Sequence, residues 1–191
     1  MKNVRLFVAM DLTDAIRSAI EQFCEKLRCA CPSAKWVRVE GMHVTLKFVG
    51  WIADGRLDAV RATLEGIHSP SPVRMSFHGT GFFPSEKRPR VLWIGISTSP
   101  NLADLAREME EKFVALGVEK ETREFRPHLT LARFESPKGF EHLREAIAKS
   151  GDLDFGSLRT HKFHLYQSEL LHGGAKYTRL ASFEFTPEKA A

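Results

Sequence analysis

The sequence lacks most of what marks an exported or membrane-bound protein. It has three cysteines, Cys24, Cys29 and Cys31, and no Cys-x-x-Cys pair. An odd, clustered set is no disulfide framework and suits a reducing, cytoplasmic compartment. No stretch approaches the ~20 apolar residues of a membrane span. The opening Met1-Lys2-Asn3-Val4-Arg5-Leu6 has its apolar run broken by Arg5 and Asp11, so no signal peptide is expected. A Gly-rich loop of the Walker kind is missing, and with it any indication of nucleoside triphosphate use. Linkers and low-complexity tracts are missing too. At 191 residues one domain with two lobes is expected, over 1–187, with a short tail at 188–191.

What is present is ordinary in bulk and unusual in one detail. The chain is 43% hydrophobic and 27% charged, has 14 Phe for an aromatic-rich core, and carries a net charge of +4 that permits an anionic substrate. The detail is a phrase said twice. His43-Val44-Thr45-Leu46 recurs as His128-Leu129-Thr130-Leu131. Composition alone predicts roughly 0.04 His-x-Thr-Leu matches, so a pair is an event on the order of one in a thousand.

Around the phrase, strands and helices mix without a regular βαβ alternation. Strand patterns cover 5–10, 36–39, 42–49, 73–80, 91–96 and 128–134. Helical spacing covers Ile16 to Leu27, Leu57 to Ile67, Leu102 to Leu116 and Phe140 to Ile147, with Thr13-Asp14 as N-cap chemistry and Gly117 as a C-cap. Residues 79–90 read as a Gly, Pro and cation-rich loop. Residues 159–170 and 176–185 read as two strands joined by a hairpin at Leu171-His172-Gly173-Gly174. The fold class expected is α+β with largely antiparallel sheets.

Alternation along a strand puts His43 with Thr45, and His128 with Thr130, on one face. Val44, Leu46, Leu129 and Leu131 take the other. Two such strands side by side across a pseudo-twofold axis would bring both His-Thr pairs to one cleft. That set suits a phosphodiester. One neutral imidazole takes a proton from water; the other, as imidazolium, protonates the departing alkoxide. The threonine hydroxyls donate to non-bridging oxygens. Arg126, Arg133 and Lys47 are nearby cations. The motifs supply no four-ligand metal set, so chemistry without a metal or cofactor is expected.

With these residues the chain resembles the 2H phosphoesterases, specifically the RNA 2′,3′-cyclic phosphodiesterase group also called 2′-5′ RNA ligases. The likeness extends over most of the chain. It includes Arg5-Leu6-Phe7-Val8-Ala9, Lys47-Phe48-Val49-Gly50, Gly79-x-Gly81-x-Phe83-Pro84, Arg126-Pro127 and Ala132-Arg133 beside the second motif, and Leu165-x-x-Ser168-x-Leu170. The resemblance implies two pseudo-symmetric, largely antiparallel sheets with outer helices and a central cleft. It implies hydrolysis of RNA 2′,3′-cyclic phosphates to 2′-phosphomonoesters, and a capacity for reversible 2′-5′ joining of RNA ends such as tRNA halves. A monomer away from membranes is expected. By the family's pattern His43 is the proton donor, His128 the acceptor, and Thr45 and Thr130 hold the phosphate. Arg133, Phe48, Arg126 and Lys47 are the further substrate-binding candidates.

Arg133 and Phe48 each lie five residues after their histidine, out of phase with the His-Thr face on a regular strand. A bulge would bring both in; without one they are back-face residues. The exposed-looking run Lys87, Arg88 and Arg90 reads either as an RNA-backbone contact or as a solvated loop. His68, His78, His142, His161, His164 and His172 have no partner motif and read as surface or structural. Trp36 and Trp93 read as packing residues. Two other functions use the same features: a 2H hydrolase of a small cyclic nucleotide, 2′-5′ oligoadenylate or ADP-ribose cyclic phosphate, and an RNA-binding module without turnover.

Overall fold

The two copies of the repeated phrase begin strands in two separate sheets, and each strand pairs with a buried apolar strand from its own half of the chain. The computed structural model describes residues 3–136, 138–171 and 174–185. The hairpin residues His172 and Gly173 and the tail expected at 188–191 lie outside these residues.

The first half runs β1 (Asn3–Asp11), α1 (Asp14–Ala30), a short β2 (Lys35–Trp36), β3 (His43–Ala53) and α2 (Leu57–Glu65). The second runs β4 (Val73–Phe83), β5 (Val91–Thr98), α3 (Asn101–Ala115), β6 (His128–Arg133) and α4 (Phe140–Ala148), followed by β7 (Asp154–Thr160), β8 (Lys162–Leu171) and β9 (Gly174–Glu184). One sheet has the order β3-β1-β8-β9, the other β2-β6-β5-β4-β7. Every pairing is antiparallel. The unit β1-α1-β3-α2 is thus repeated as β5-α3-β6-α4, which is the expected α+β pseudo-symmetry.

The helices form for the reasons the spacing gives. In α1 the residues Ile16, Ile20, Phe23, Cys24 and Leu27 are buried, and Thr13 caps the start by accepting from the Ile16 amide at 3.4 Å. Burial pushes the Cys24 thiol up to about 12, so it stays protonated and inert. The first helix of each repeat packs on the other sheet. Phe23 of α1 meets Phe155 of β7 with ring centroids 5.2 Å apart. From α3, Glu110 reaches Lys47 of β3 at 2.7 Å. One continuous apolar cluster joins both sheets and all four helices.

Three sequence expectations change. Strand β4 does not stop at Thr80; it continues to Phe83, and the loop is confined to 84–90. Its glycines serve the strand. Gly79, at φ +60, sits in a bulge, and a Cβ on Gly81 would fall 2.2 Å from the Trp93 ring, which lies flat over it. The run 159–170 is split at His161: β7 belongs to one sheet and β8 to the other. No Gly or Pro marks that crossing, because Thr160 and Lys162 bend the chain through a hydroxyl–amide bond of 3.3 Å.

The third correction concerns Lys47. Ala9 pairs with Thr45 and Val8 with Lys47, leaving Leu46 as an extra residue. Beyond this bulge Lys47 takes the phase of the core-facing Val8, and its side chain is only 3% exposed. It is not a cleft cation. A buried ammonium needs a partner, and Glu110 (17% exposed) with the Glu119 carbonyl at 3.2 Å supply it. Glu110→Ala should therefore cost about 3–5 kcal/mol, because it strands a buried charge. The double change Lys47→Met, Glu110→Leu should recover most of that. Urea unfolding of the two variants checks both; a loss below about 1 kcal/mol for Glu110→Ala would show that water reaches the ammonium.

Candidate active site

Each motif histidine is fixed by the backbone immediately before it. His43 Nδ1 lies 2.8 Å from the Gly41 carbonyl, and His128 Nδ1 lies 2.7 Å from the Arg126 carbonyl. A carbonyl only accepts, so Nδ1 carries the hydrogen in both rings. Each Nε2 is then the free nitrogen, with no protein partner among the described residues. In neutral rings both Nε2 atoms hold lone pairs; in a cation they become donors. A single 3-10 turn, Val39–Gly41, brings the first carbonyl into place. Pro127 holds the second approach extended.

Aromatic rings wall the imidazoles. His43 stacks on Phe7 at 4.5 Å and 26°, and Tyr177 stands against it edge-on at 5.1 Å. His128 meets Phe83 edge-on at 5.0 Å, and Phe83 stacks on Trp93 at 5.0 Å. Tyr177 comes from β9, at the far edge of the sheet from β3. The sheet is curled enough to close one edge toward the other, and Gly41 leaves the space: a Cβ there would lie 3.3 Å from the Tyr177 ring. Strands β3 and β6, which carry the two motifs, approach one another within 8 Å at their Cα atoms at the seam between the sheets.

Past each threonine the strand is re-aimed by a bulge. In β6, Trp93 pairs with Thr130 and Leu92 with Ala132, leaving Leu131 extra, the counterpart of Leu46. Phe48 then pairs with Phe7, and Arg133 with Val91. Both take the face of their His-Thr pair, in the phase a bulge allows, and both are exposed. Arg133 has no acidic partner among the described residues. Arg126 is different: its guanidinium holds Glu124 at 2.9 and 3.0 Å in solvent, and its contribution here is the backbone carbonyl. Lys87, Arg88 and Arg90 lie in the loop leading to β5, and all three are exposed.

Sequence reasoning missed the polar cluster beside His43. Asp11 lies directly across the strand pair from His43, whereas Gly95 holds that place opposite His128. Tyr166 donates to Asp11 at 2.5 Å, Arg179 pairs with Asp11 and donates to the Tyr166 hydroxyl at 3.2 Å, and His164 Nε2 lies 3.6 Å from the same carboxylate. His164 Nδ1 also meets Ser182 at 2.8 Å, which makes it a structural histidine. Burial, then the bond to Asp11, pushes the Tyr166 hydroxyl up to about 12. The only sequence signal was a lone carboxylate ending an apolar strand.

The environment of His43 favours its neutral form. Burial lowers its pKa; the Gly41 carbonyl and Asp11 oppose that, and Arg17 adds to it. Among the described residues no three His, Cys, Asp or Glu side chains converge as a metal site.

The profile of the 2′-5′ RNA ligase superfamily matches residues 16–170. A Methanothermobacter thermautotrophicus protein named RNA 2′,3′-cyclic phosphodiesterase is 34% identical over 184 residues, spanning 94% of this chain and 98% of that one. An Aquifex aeolicus protein of the same name is 33% identical over 186 residues, spanning 96% and 98%. Among solved structures, TT0787 of Thermus thermophilus has a TM-score of 0.80 at 28% identity, covering 96% of this chain and 99% of that one. E. coli LigT complexed with 3′-AMP has a TM-score of 0.76 at 25% identity, covering 97% and 99%. With both His-x-Thr-Leu strands in place and a match over most of its length, this chain belongs to the 2′-5′ RNA ligase superfamily.

Proposed function

We propose that this protein is a metal-independent phosphodiesterase that opens RNA 2′,3′-cyclic phosphate ends to 2′-phosphomonoesters. The observation that carries the reading is the pair of imidazoles with Nδ1 bound to the backbone and Nε2 free. The names of the curated relatives support the substrate.

In the reaction, His128 Nε2 takes a proton from water as the water oxygen bonds to phosphorus. The P–O3′ bond breaks, and His43 Nε2 gives its proton to the departing 3′ oxygen. Exchange with solvent resets both rings. Thr45 and Thr130 donate to the non-bridging oxygens, and Arg133 adds positive charge where the transition state gathers negative charge. If an RNA 5′-hydroxyl replaces the water, the same proton movements give a 2′-5′ phosphodiester and a free 3′-hydroxyl. That is the reversible joining reaction, and RNA ends such as tRNA halves fit it. The enzyme acts as a cytoplasmic monomer in this reading.

Each histidine role is typically worth ~10²–10⁴-fold, so His43→Ala and His128→Ala should each lower kcat by that order while leaving the fold intact. Steady-state kinetics with circular dichroism checks this; a rate within about threefold of wild type removes that residue from the chemistry. Activity should persist in excess EDTA, and a loss restored by a divalent ion would overturn the metal-free mechanism.

The pH profile of kcat/KM should be bell-shaped. Its descending limb reports loss of the His43 proton in the free enzyme. Burial disfavours the His43 imidazolium, so the ring's own titration in the free enzyme, followed by NMR, should fall on the acid side of the ordinary histidine value of ~6.5. In kcat the limb should move to higher pH, because the bound phosphate anion favours the cation. A flat profile from about pH 5 to 9 would contradict opposed protonation states.

A further inference from the structure

Strand β3 carries two large aromatic side chains that contribute little to the core: Phe48 is 62% exposed and Trp51 is 64% exposed. Their placement is ordered. On the shared face of β3 and β1 the register pairs run His43 with Asp11, Thr45 with Ala9, Phe48 with Phe7, Trp51 with Arg5, and Ala53 with Asn3. The extra residues Leu46 and Val49 keep this face in phase through two successive irregularities. Phe48 leans on Phe7 at 6.2 Å, and Phe7 in turn stacks on His43. A line of rings therefore leads from the reacting histidine outward along the edge strand. Arg5, half-buried opposite Trp51, has no acidic partner among the described residues. Beyond Thr45 this face holds no carboxylate, so nothing on it repels an anionic chain.

We propose that Phe48, Trp51 and Arg5 form a subsite for the single-stranded RNA leading to the cyclic phosphate. Phe48, next along this face from Thr45, takes the terminal base; Trp51 stacks the base before it; Arg5 meets the linking phosphate. Rings offer sequence-tolerant stacking to any base, and a lone guanidinium beside them matches the backbone charge. The subsite rests on the phosphodiesterase reading and deepens it: the preferred substrate is an oligonucleotide end, not a cyclic mononucleotide.

The test compares kcat/KM for a 2′,3′-cyclic mononucleotide with that for a trinucleotide ending in 2′,3′-cyclic phosphate, in EDTA. Wild type should prefer the trinucleotide. In Trp51→Ala that preference ratio should fall roughly 5- to 150-fold, the range set by one lost stacked base, and Trp51→Phe should restore most of it. In Arg5→Gln the slope of log kcat/KM against log salt for the trinucleotide should flatten by about 0.7, one phosphate's share on a single strand. Equal ratios in wild type and Trp51→Ala, with both substrates turned over, overturn the subsite and leave the phosphodiesterase reading standing. No turnover of either substrate by wild type overturns both.

Discussion

A pleated strand changes face at every residue, and that period cannot present a histidine, a threonine and a residue five places after the histidine to one cleft. The extra leucine in each motif strand resolves the conflict. Leu46 and Leu131 occupy the same step of the repeat, each unpaired with the neighbouring strand. Before the bulge the strand shows His and Thr to the cleft; after it the strand shows Phe48 or Arg133. The same step turns Lys47 inward, where α3 must provide a carboxylate. The shared face of His and Thr, the residue exposed at its rim and a buried ion pair all follow from one added residue.

The imidazoles are held as rigidly as their backbone. A carbonyl two residues upstream fixes the proton on Nδ1, and neighbouring rings fix the plane. Each neutral ring is thereby held in a single tautomer. The two sites are near copies and not equal. Asp11, tied to Tyr166 and Arg179, stands opposite one histidine, and a glycine stands opposite the other. The repeat supplies two similar nitrogens, and the neighbouring strand gives them different surroundings.

How far this was legible in the sequence depends on range. The motif strands, the α+β class and the amphipathic helices rest on local periodicity, and they could be read. So could the need for a bulge at Phe48 and Arg133, though not its presence, since bulging is decided by the partner strand. Residues placed by pairing were out of reach. Tyr166, Tyr177 and Arg179 reach the His43 side of the cleft only because β8 and β9 close onto a sheet begun by β1. Glycines 79 and 81 read as loop because a flat indole above a strand leaves the same signature as a turn. The crossing at His161 carried no breaker residue at all.

The exchange of helices between sheets has a mechanical consequence. Helix α1 leaves the first sheet to pack on β7 of the second, and α3 leaves the second to pack on β3 of the first. Each half is clasped by the other. Opening the seam like a hinge would peel both helices from their beds and expose the shared apolar cluster. The cleft therefore behaves as a fixed jaw, and discrimination among substrates falls to what lines its lips.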